Sequence, residues 1–333
     1  MTSKTTPATT AKRVLIRPDA MQKILAFAGL IVIFIGFSLA SPYFRQFDNV
    51  VAILLSTAVN GVLALGVTFV IVTGGIDLSI GTVLTFSAVM SGVFIVDLGL
   101  PVGVGVIGGL LAGTLCGMVN GIVIAKMKIP PFIATLGMMM ITKGLSLILS
   151  HSKPVYLLDT PAFNQIAMGS ILGRLIPGFD IPNAVLILFG AALVASLILS
   201  KTILGRYTFA MGSNEEATRL SGVNVDTWKI AVYSLCGLFA GLGGVLMAAR
   251  LNSAQPALGA GYELDAIAAA VIGGTSLSGG EGTILGTIIG AFIMSTLTNG
   301  LRIMAVPQEW QMVVTGVIVI FAVYADIVRR RNT

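Results

Sequence analysis

Charged residues, and the side chains that carry most catalytic chemistry, are scarce in this sequence. Only 10% of its 333 residues are charged and His151 is the only histidine, whereas soluble domains carry about 25% charged residues. A single histidine excludes a histidine-based metal site and a Ser–His or Cys–His nucleophile pair. No paired carboxylates at catalytic spacing, no metal-ligand cluster and no GxxxxGK[ST] phosphate loop stand out. The sequence thus argues against an enzyme or a cofactor, and another chain must bind any ATP that drives this protein.

Long apolar runs fill the chain instead. Hydrophobic residues make up 56% of it, with a mean hydropathy of +0.97. Runs of roughly 20 apolar residues, long enough to cross a ~30 Å hydrocarbon layer, recur along its length, and 40 glycines fit close helix packing in lipid. Cys116 and Cys236 lie in such runs, which favours buried thiols over a disulfide. We predict an all-α polytopic membrane protein with about ten transmembrane helices in two five-helix halves, near residues 22–42, 50–73, 80–98, 104–125, 130–149, 183–200, 229–249, 262–275, 283–301 and 308–326.

Basic residues orient these spans. If the N-terminus is cytoplasmic, ten spans return the C-terminus to the same side. The positive-inside rule then holds for Lys4, Lys12, Arg13, Arg17, Lys126, Lys128, Lys201, Arg206, Arg219 and Arg329 to Arg331. We predict a polar cytoplasmic tail at residues 1–20, a membrane domain at 21–328 and a basic tail at 329–333. The proline-rich loop near 150–182 is placed outside, either as a connector with short helical pieces or as a docking surface.

Two motifs recur and suggest an internal duplication. The run GGIDLSIGT at 74–82 is echoed by GGTSLSGG at 273–280, and Asn120-Gly121 is echoed by Asn299-Gly300. The spacings differ, but the chain divides naturally into five spans plus five. An odd number of spans per half gives the halves opposite topology, a transporter plan with the pathway at their interface. The alternative is the general glycine bias of membrane helices.

Both Gly-Gly motifs interrupt apolar runs, and the polar groups there are candidates for a translocation pathway. Freed backbone groups are tolerated at membrane depth only beside protein or a watery cavity, and a buried Asp77 needs a partner, a helix end or water. It is either a structural cap of the next helix or part of the wall or gate of the pathway. Glu263 and Asp265 open span eight, where a helix-capping role is the better explanation. For Asn120 and Asn299, interhelical hydrogen bonds are as good an explanation as contact with the substrate. The candidate pathway residues are Asp77, Ser79, Asn120, Gln255, Glu263, Asp265, Ser276 and Asn299.

The stretch LGRYTFAMGSNEEATRLSGVNVDTW, residues 204–228, is polar where its surroundings are apolar. Ser213 or Asn214 is a good N-cap, two glutamates follow in the first turn, and Gly222 supplies a C-terminal stop. So short a helix has too little apolar surface to stand alone and needs a groove in a neighbouring protein. The alternative is an ordinary solvated loop helix. The pattern predicts a cytoplasmic docking helix, typical of one component of a larger machine.

These motifs carry a family resemblance. The runs GGIDLSIG (74–81), IPPFIATLGMM (129–139), the stretches 204–237 and 249–287, and NGL (299–301) resemble the ribose-type sugar permeases of bacterial ATP-binding-cassette (ABC) importers. The resemblance covers residues 20–326 and implies a ten-span type II importer-like fold that works as a dimer in the inner membrane. It also implies a coupling helix that seats in the cleft of an ATPase partner and contains Gly212, Asn214, Glu215, Glu216, Ala217, Arg219, Ser221 and Gly222.

The function implied by the resemblance is sugar import by alternating access. A periplasmic binding protein would deliver the sugar, ribose or a related pentose or hexose, and a separate ATPase subunit would supply the energy. The permease would be a non-catalytic homodimer in the lipid bilayer, with no nucleic-acid partner. Two other functions stay open. One is a permease for another small solute such as branched-chain amino acids. The other is a self-sufficient secondary carrier, which would not need the docking helix.

Overall fold

The described part of the chain is almost entirely helical. The structure, a computed structural model, describes residues 18–176, 178 and 180–331; the predicted N-terminal tail up to residue 17 lies outside this range. The elements in it are α1 (Pro18–Ala40), α2 (Phe47–Val72), α3 (Ile80–Gly92) continued by a π-helical turn (Val93–Asp97), α4 (Val102–Lys126), α5 (Pro131–Leu149), β1 (Val155–Tyr156), α6 (Pro161–Met168), α7 (Ile171–Leu175), α8 (Asn183–Lys201), α9 (Ile203–Ser213), α10 (Glu215–Leu220), α11 (Val225–Leu251), β2 (Ser253–Ala254), α12 (Tyr262–Ile272), α13 (Ile284–Ile303) and α14 (Gln308–Arg331).

Each of the ten predicted spans coincides with a helix, which confirms the polytopic all-α fold. Among the described residues eight helices are long and apolar enough to cross a membrane: α1, α2, α3 with its π-helical turn, α4, α5, α8, α11 and α13. The apolar part of α14 is shorter, Gln308–Phe321. Helix α12 has 11 residues, which at 1.5 Å per residue spans roughly 16 Å, about half the hydrocarbon layer. The predicted span 262–275 is therefore shorter than a full crossing.

The other half of that crossing is made by non-helical chain that runs beside α3. After β2, which pairs antiparallel with β1, Ala254 lies against Gly92 at the C-terminal end of α3. Five residues later, Gly259 packs on the backbone of Gly81 at the N-terminal end of the same helix. Gly261 then turns the chain into α12 with a φ of +97°, a conformation that glycine adopts without steric cost. We call residues 252–261 the re-entrant segment.

The most extensive helix contact in the bundle joins α4 and α11, and glycines line it. A methyl group added to Gly113 would collide with the backbone of Gly237 and Gly241, and one added to Gly117 would lie 3.0 Å from the Cα atom of Gly237. Helices approach this closely in membranes where small residues line the contact, because dispersion between backbones replaces the hydrophobic effect. The glycine content noted in the sequence thus serves a specific interface.

We expect Gly117→Ala to destabilise the protein by about 1–3 kcal/mol, the usual cost of overpacking, because the added methyl group meets the Tyr233 carbonyl. Thermal denaturation in detergent, followed by size-exclusion chromatography, measures this loss. Gly144→Ala in α5 is the matched control, since nothing lies within 4 Å of that position and alanine favours helix. Equal melting temperatures for the two variants would contradict the packing argument.

Helix packing supports two halves of five spans each. If α1 to α5 form the first half and α8, α11, α12, α13 and α14 the second, α2 corresponds to α11, α3 to α12, α4 to α13 and α5 to α14. The contacts follow this correspondence: α4 packs on α11 as α13 packs on α2, α3 packs on α4 as α12 packs on α13, and α3 packs on α5 as α12 packs on α14. Equivalent helices five spans apart run in opposite directions, as an inverted repeat requires.

The Gly-Gly echo does not belong to this repeat. Gly74 and Gly274 each lie two residues after the end of a helix, α2 or α12, with φ of +78° and +95°. Each of their amides donates a hydrogen bond to the carbonyl three residues earlier. However, the Gly280 amide donates to the Val72 carbonyl at 2.9 Å, so the end of α2 and the turn after α12 meet at one end of the bundle. Inverted halves place equivalent elements at opposite ends. The interpretation of this motif pair as a trace of duplication is therefore wrong, and the pair reflects a shared way of ending a helix. Asn120 and Asn299 do fall on equivalent helices, α4 and α13.

Candidate functional site

The predicted docking helix is present as α10, with the expected caps. The Asn214 side chain accepts a hydrogen bond from the Ala217 amide at 2.9 Å, and Gly222 follows the helix with a φ of +88°. Thr218 is the one fully buried residue of α10. Leu220, at 83% exposure, is the most solvent-exposed large apolar side chain among the described residues. An apolar side chain held out from a polar helix is suited to contact with a partner.

Ion pairs orient α10 against neighbouring elements. Glu215 accepts from Lys229 at 2.6 Å and from Arg219 at 3.4 Å, and Asp226 accepts from Arg219 at 3.0 Å and from Lys128 at 2.9 Å. The bond to Asp226 raises the pKa of the Arg219 guanidinium above its usual value. Exposed pairs of this kind contribute little to stability, so their effect is to fix the direction of α10 relative to the start of α11.

The eight predicted coupling residues differ in how far a partner could reach them. Most are exposed on or beside α10, where a partner could reach them: Asn214, Glu216, Ala217, Arg219, Ser221 and Gly222. Glu215 is half-buried because of its pair with Lys229. Gly212 lies inward, against the end of α2, where a methyl group would collide with the Val72 carbonyl. Geometry thus separates this one residue from a surface that meets a partner.

Helix α9 was missed by the sequence interpretation, which treated 204–228 as one exposed stretch. Its N-cap is Thr202, whose hydroxyl accepts from the Gly205 amide, and its buried face includes Thr208 and Met211. The cap before an apolar run was a signal that could have revealed it. The coupling segment, which we define as residues 203–222, is therefore two short helices joined by Asn214 alone.

Three predicted pathway residues form one buried cluster. The Asp77 carboxylate accepts from the Ser79 amide at 2.8 Å and from the Ser79 hydroxyl at 2.6 Å, and Asn120 of α4 donates to that hydroxyl at 3.0 Å. Asp77 is 2% exposed, and the Cys236 thiol of α11 contacts it. We call these four residues the Asp77 cluster. It ties the turn before α3 to α4 and α11, and this geometry favours the structural reading of Asp77.

The remaining pathway candidates lie apart from that cluster. Gln255 is exposed on the re-entrant segment, and Asp265 is half-buried in the first turn of α12. The Glu263 carboxylate accepts from the Gly261 amide at 3.1 Å, in keeping with an acidic residue at a helix N-terminus. Ser276 is buried in the turn after α12. The buried Asn299 carbonyl oxygen has no hydrogen-bond partner among the described residues.

Metal coordination is not suggested by these acidic residues. Within residues 18–176, 178 and 180–331, no group of three His, Cys, Asp or Glu side chains is placed to hold a metal ion.

Comparison with known proteins identifies relatives along the whole length. Residues 49–323 match the family model described as branched-chain amino acid transport system / permease component. The ribose import permease protein RbsC of Escherichia coli (strain K12) is 42% identical over 325 residues, 97% of this chain and 98% of the relative. RbsC of Bacillus subtilis (strain 168) is also 42% identical, over 92% of this chain and 93% of its own. The fructose import permease protein FrcC of Rhizobium meliloti is 37% identical over 93% and 85%. No solved structure matches the chain.

Proposed function

The chain belongs to the family of permease components of branched-chain amino acid transport systems, and on that premise we propose that it is the membrane subunit of an ABC importer for a monosaccharide. Ribose is the first candidate, ahead of other pentoses and hexoses. The observation that carries this choice is the similarity to ribose import permeases over 97% of the chain. The family description names amino acids, so a branched-chain amino acid is the second candidate. The protein is a multi-pass permease of the inner membrane, and we place both of its termini in the cytoplasm.

The coupling segment supports an ATPase partner. Helix α10 presents exposed polar residues and Leu220 at the surface, and it is oriented by ion pairs without being buried by them. Such a surface is better suited to binding in a groove of a second protein than to remaining exposed to solvent. In this mechanism ATP binding closes the partner ATPase subunits, α10 moves with them, and the spans alternate between access from the periplasm and access from the cytoplasm. A periplasmic binding protein delivers the sugar, and this chain forms and breaks no covalent bond.

The re-entrant segment supports a pathway between two copies of the chain. Ala260 and Gly261 are exposed where this segment passes Gly81, in the first turn of α3. Irregular backbone is tolerated at membrane depth only where protein covers it or where it lines a watery cavity. A second copy facing this surface would create such a cavity at the dimer interface, with Glu263 and Asp265 at its rim. Hydroxyl groups of a sugar pair readily with carboxylates and free carbonyls.

Uptake into liposomes tests the proposal. The chain is reconstituted with its ATPase and binding protein, and entry of radiolabelled ribose is compared with entry of radiolabelled leucine, with ATP and without it. We expect ribose uptake that requires both ATP and the binding protein. ATP-dependent uptake of leucine alone would identify an amino-acid permease. Uptake by this chain alone, without ATP, would identify a secondary carrier and overturn the importer.

A further inference from the structure

The C-terminal end of α9 packs on two other chain segments with backbone atoms in close contact at Gly212. A methyl group at Gly212 would collide with the carbonyl of Val72, the last residue of α2, and would lie 2.5 Å from the Gly280 amide nitrogen. That amide donates a hydrogen bond to the same Val72 carbonyl, at 2.9 Å. Segments distant in the sequence thus meet with no side chain between them. We call this contact, made by Val72, Gly74, Gly212, Gly279 and Gly280, the glycine joint.

The turns after α2 and after α12 both contribute glycines to the joint. A methyl group on Gly279 would lie 2.8 Å from the Gly212 carbonyl oxygen and 2.9 Å from the Gly74 amide nitrogen, and one on Gly280 would lie 2.9 Å from the Ser213 hydroxyl. Gly279 and Gly280 have φ of +82° and +76°, a region that other residues enter only with strain. The turns after α2 and after α12 are therefore shaped to bring their backbones against one residue of the coupling segment.

We propose that the glycine joint transmits the movement of the coupling segment to the end of α2 and to the turn between α12 and α13 as one rigid unit. This inference rests on the proposed function, in which α10 docks on an ATPase. Side chains can absorb a displacement by changing rotamer, whereas backbone atoms in direct contact cannot, and close-packed interiors transmit strain. Only Asn214 separates α10 from α9. A shift of α10 therefore reaches Val72 and Gly280 without a flexible linker.

The position of the joint explains how one docking helix can move both halves of the bundle. Helix α2 belongs to the first half and packs on α8, α11, α12 and α13, while the turn at 273–283 joins two helices of the second half. Because the Gly280 to Val72 hydrogen bond holds the end of α2 to this turn, the two move as a pair. Gly212 is thus a positioning residue and not a contact to the ATPase.

The first test compares Gly212→Ala with Gly137→Ala in the reconstituted importer. Gly137 has nothing within 4 Å, so its variant controls for adding a methyl group to a helical glycine. We expect Gly212→Ala to retain the ATPase on co-purification while ribose uptake per ATP hydrolysed falls at least ~fivefold, the lower end of coupling between sites. Uptake and hydrolysis at wild-type values would overturn the joint.

A second test leaves Gly212 in place. In Ser213→Cys/Gly280→Cys the thiols lie within disulfide reach, since a Cβ atom on Gly280 is 3.4 Å from the Cα atom of Ser213. Uptake is measured on one preparation, oxidised with copper phenanthroline and then reduced. A joint that moves as a unit keeps at least about half of its uptake when cross-linked, because a bond between groups that do not separate leaves the transport barrier nearly unchanged. Loss on oxidation that reductant restores would show that the joint opens, and would overturn the proposal.

Failure of the proposed function gives a different result. If no ATPase co-purifies with the wild-type chain and no ribose is imported, the proposed importer function is wrong. This result appears before any variant is tested. If the wild type is active and coupled but the Gly212 variant matches the Gly137 control, only the joint is wrong.

Discussion

Replacing Glu215, Glu216 and Arg219 together with alanine is expected to abolish co-purification of an ATPase and to lower sugar uptake at least ~tenfold, equivalent to ~1.4 kcal/mol of binding free energy. The variant removes one exposed glutamate and both α10 residues of the ion-pair network that orients the helix. Membrane insertion should be unchanged, because α10 lies outside the spans. Affinity purification from mild detergent, followed by identification of the bound protein, measures the result.

A matched control removes the same charges elsewhere. Asp159→Ala/Asp180→Ala/Arg174→Ala takes two acidic groups and one basic group from the loop between α5 and α8, where all three residues are exposed. It should leave ATPase recovery at the wild-type level. Equal recovery of the ATPase with the coupling variant and with this control would show that α10 is a solvated loop helix, the alternative left open by the sequence.

Asp77→Ala and Asp77→Asn are expected to behave differently. Alanine leaves the Ser79 amide and hydroxyl without their acceptor, and each buried unsatisfied group costs about 1–3 kcal/mol. We therefore expect Asp77→Ala to lower the melting temperature in detergent and the amount of protein in the membrane. Asparagine keeps a carbonyl oxygen where both bonds end, so Asp77→Asn should retain most of the stability and of the sugar uptake.

The pair of variants separates the two readings of this residue. If the carboxylate itself contacts the sugar or changes its charge during transport, Asp77→Asn will be folded but inactive. Asp97→Ala serves as the control, because Asp97 is exposed at the far end of the π-helical turn that continues α3. Its stability and uptake should match the wild type.

Local chemistry made some features predictable. Helix α10 could be predicted because Asn214 caps its start and Gly222 ends it, and both residues act on neighbours within four positions. The spans followed from apolar length alone. The roles of the eight coupling residues and the eight pathway residues remain predictions, although the structure packs Gly212 against the end of α2 and buries the Asp77 cluster.

Features that depend on distant contacts were not predictable. Residues 262–275 have the composition of a transmembrane span. That α12 crosses only part of the membrane becomes clear from the contact between Gly259 and Gly81 of α3, which the sequence does not reveal. Likewise, nothing in the run 74–82 indicates that Asn120 of α4 supplies a hydrogen bond to Ser79. The Gly-Gly echo misled because similar helix ends can arise at one end of a bundle without any duplication.

The short helix α12 also constrains how the protein is made. A segment of 11 residues preceded by a non-helical stretch is too short to partition into lipid by itself, since insertion of a helix requires about 20 apolar residues. The face of α3 that receives the re-entrant segment is synthesised long before it, ahead of α4, α5, α8 and α11. That face must stay uncovered until the re-entrant segment emerges from the ribosome. A nascent chain released before residue 272 would therefore expose backbone in the bilayer and present a signal for membrane quality control.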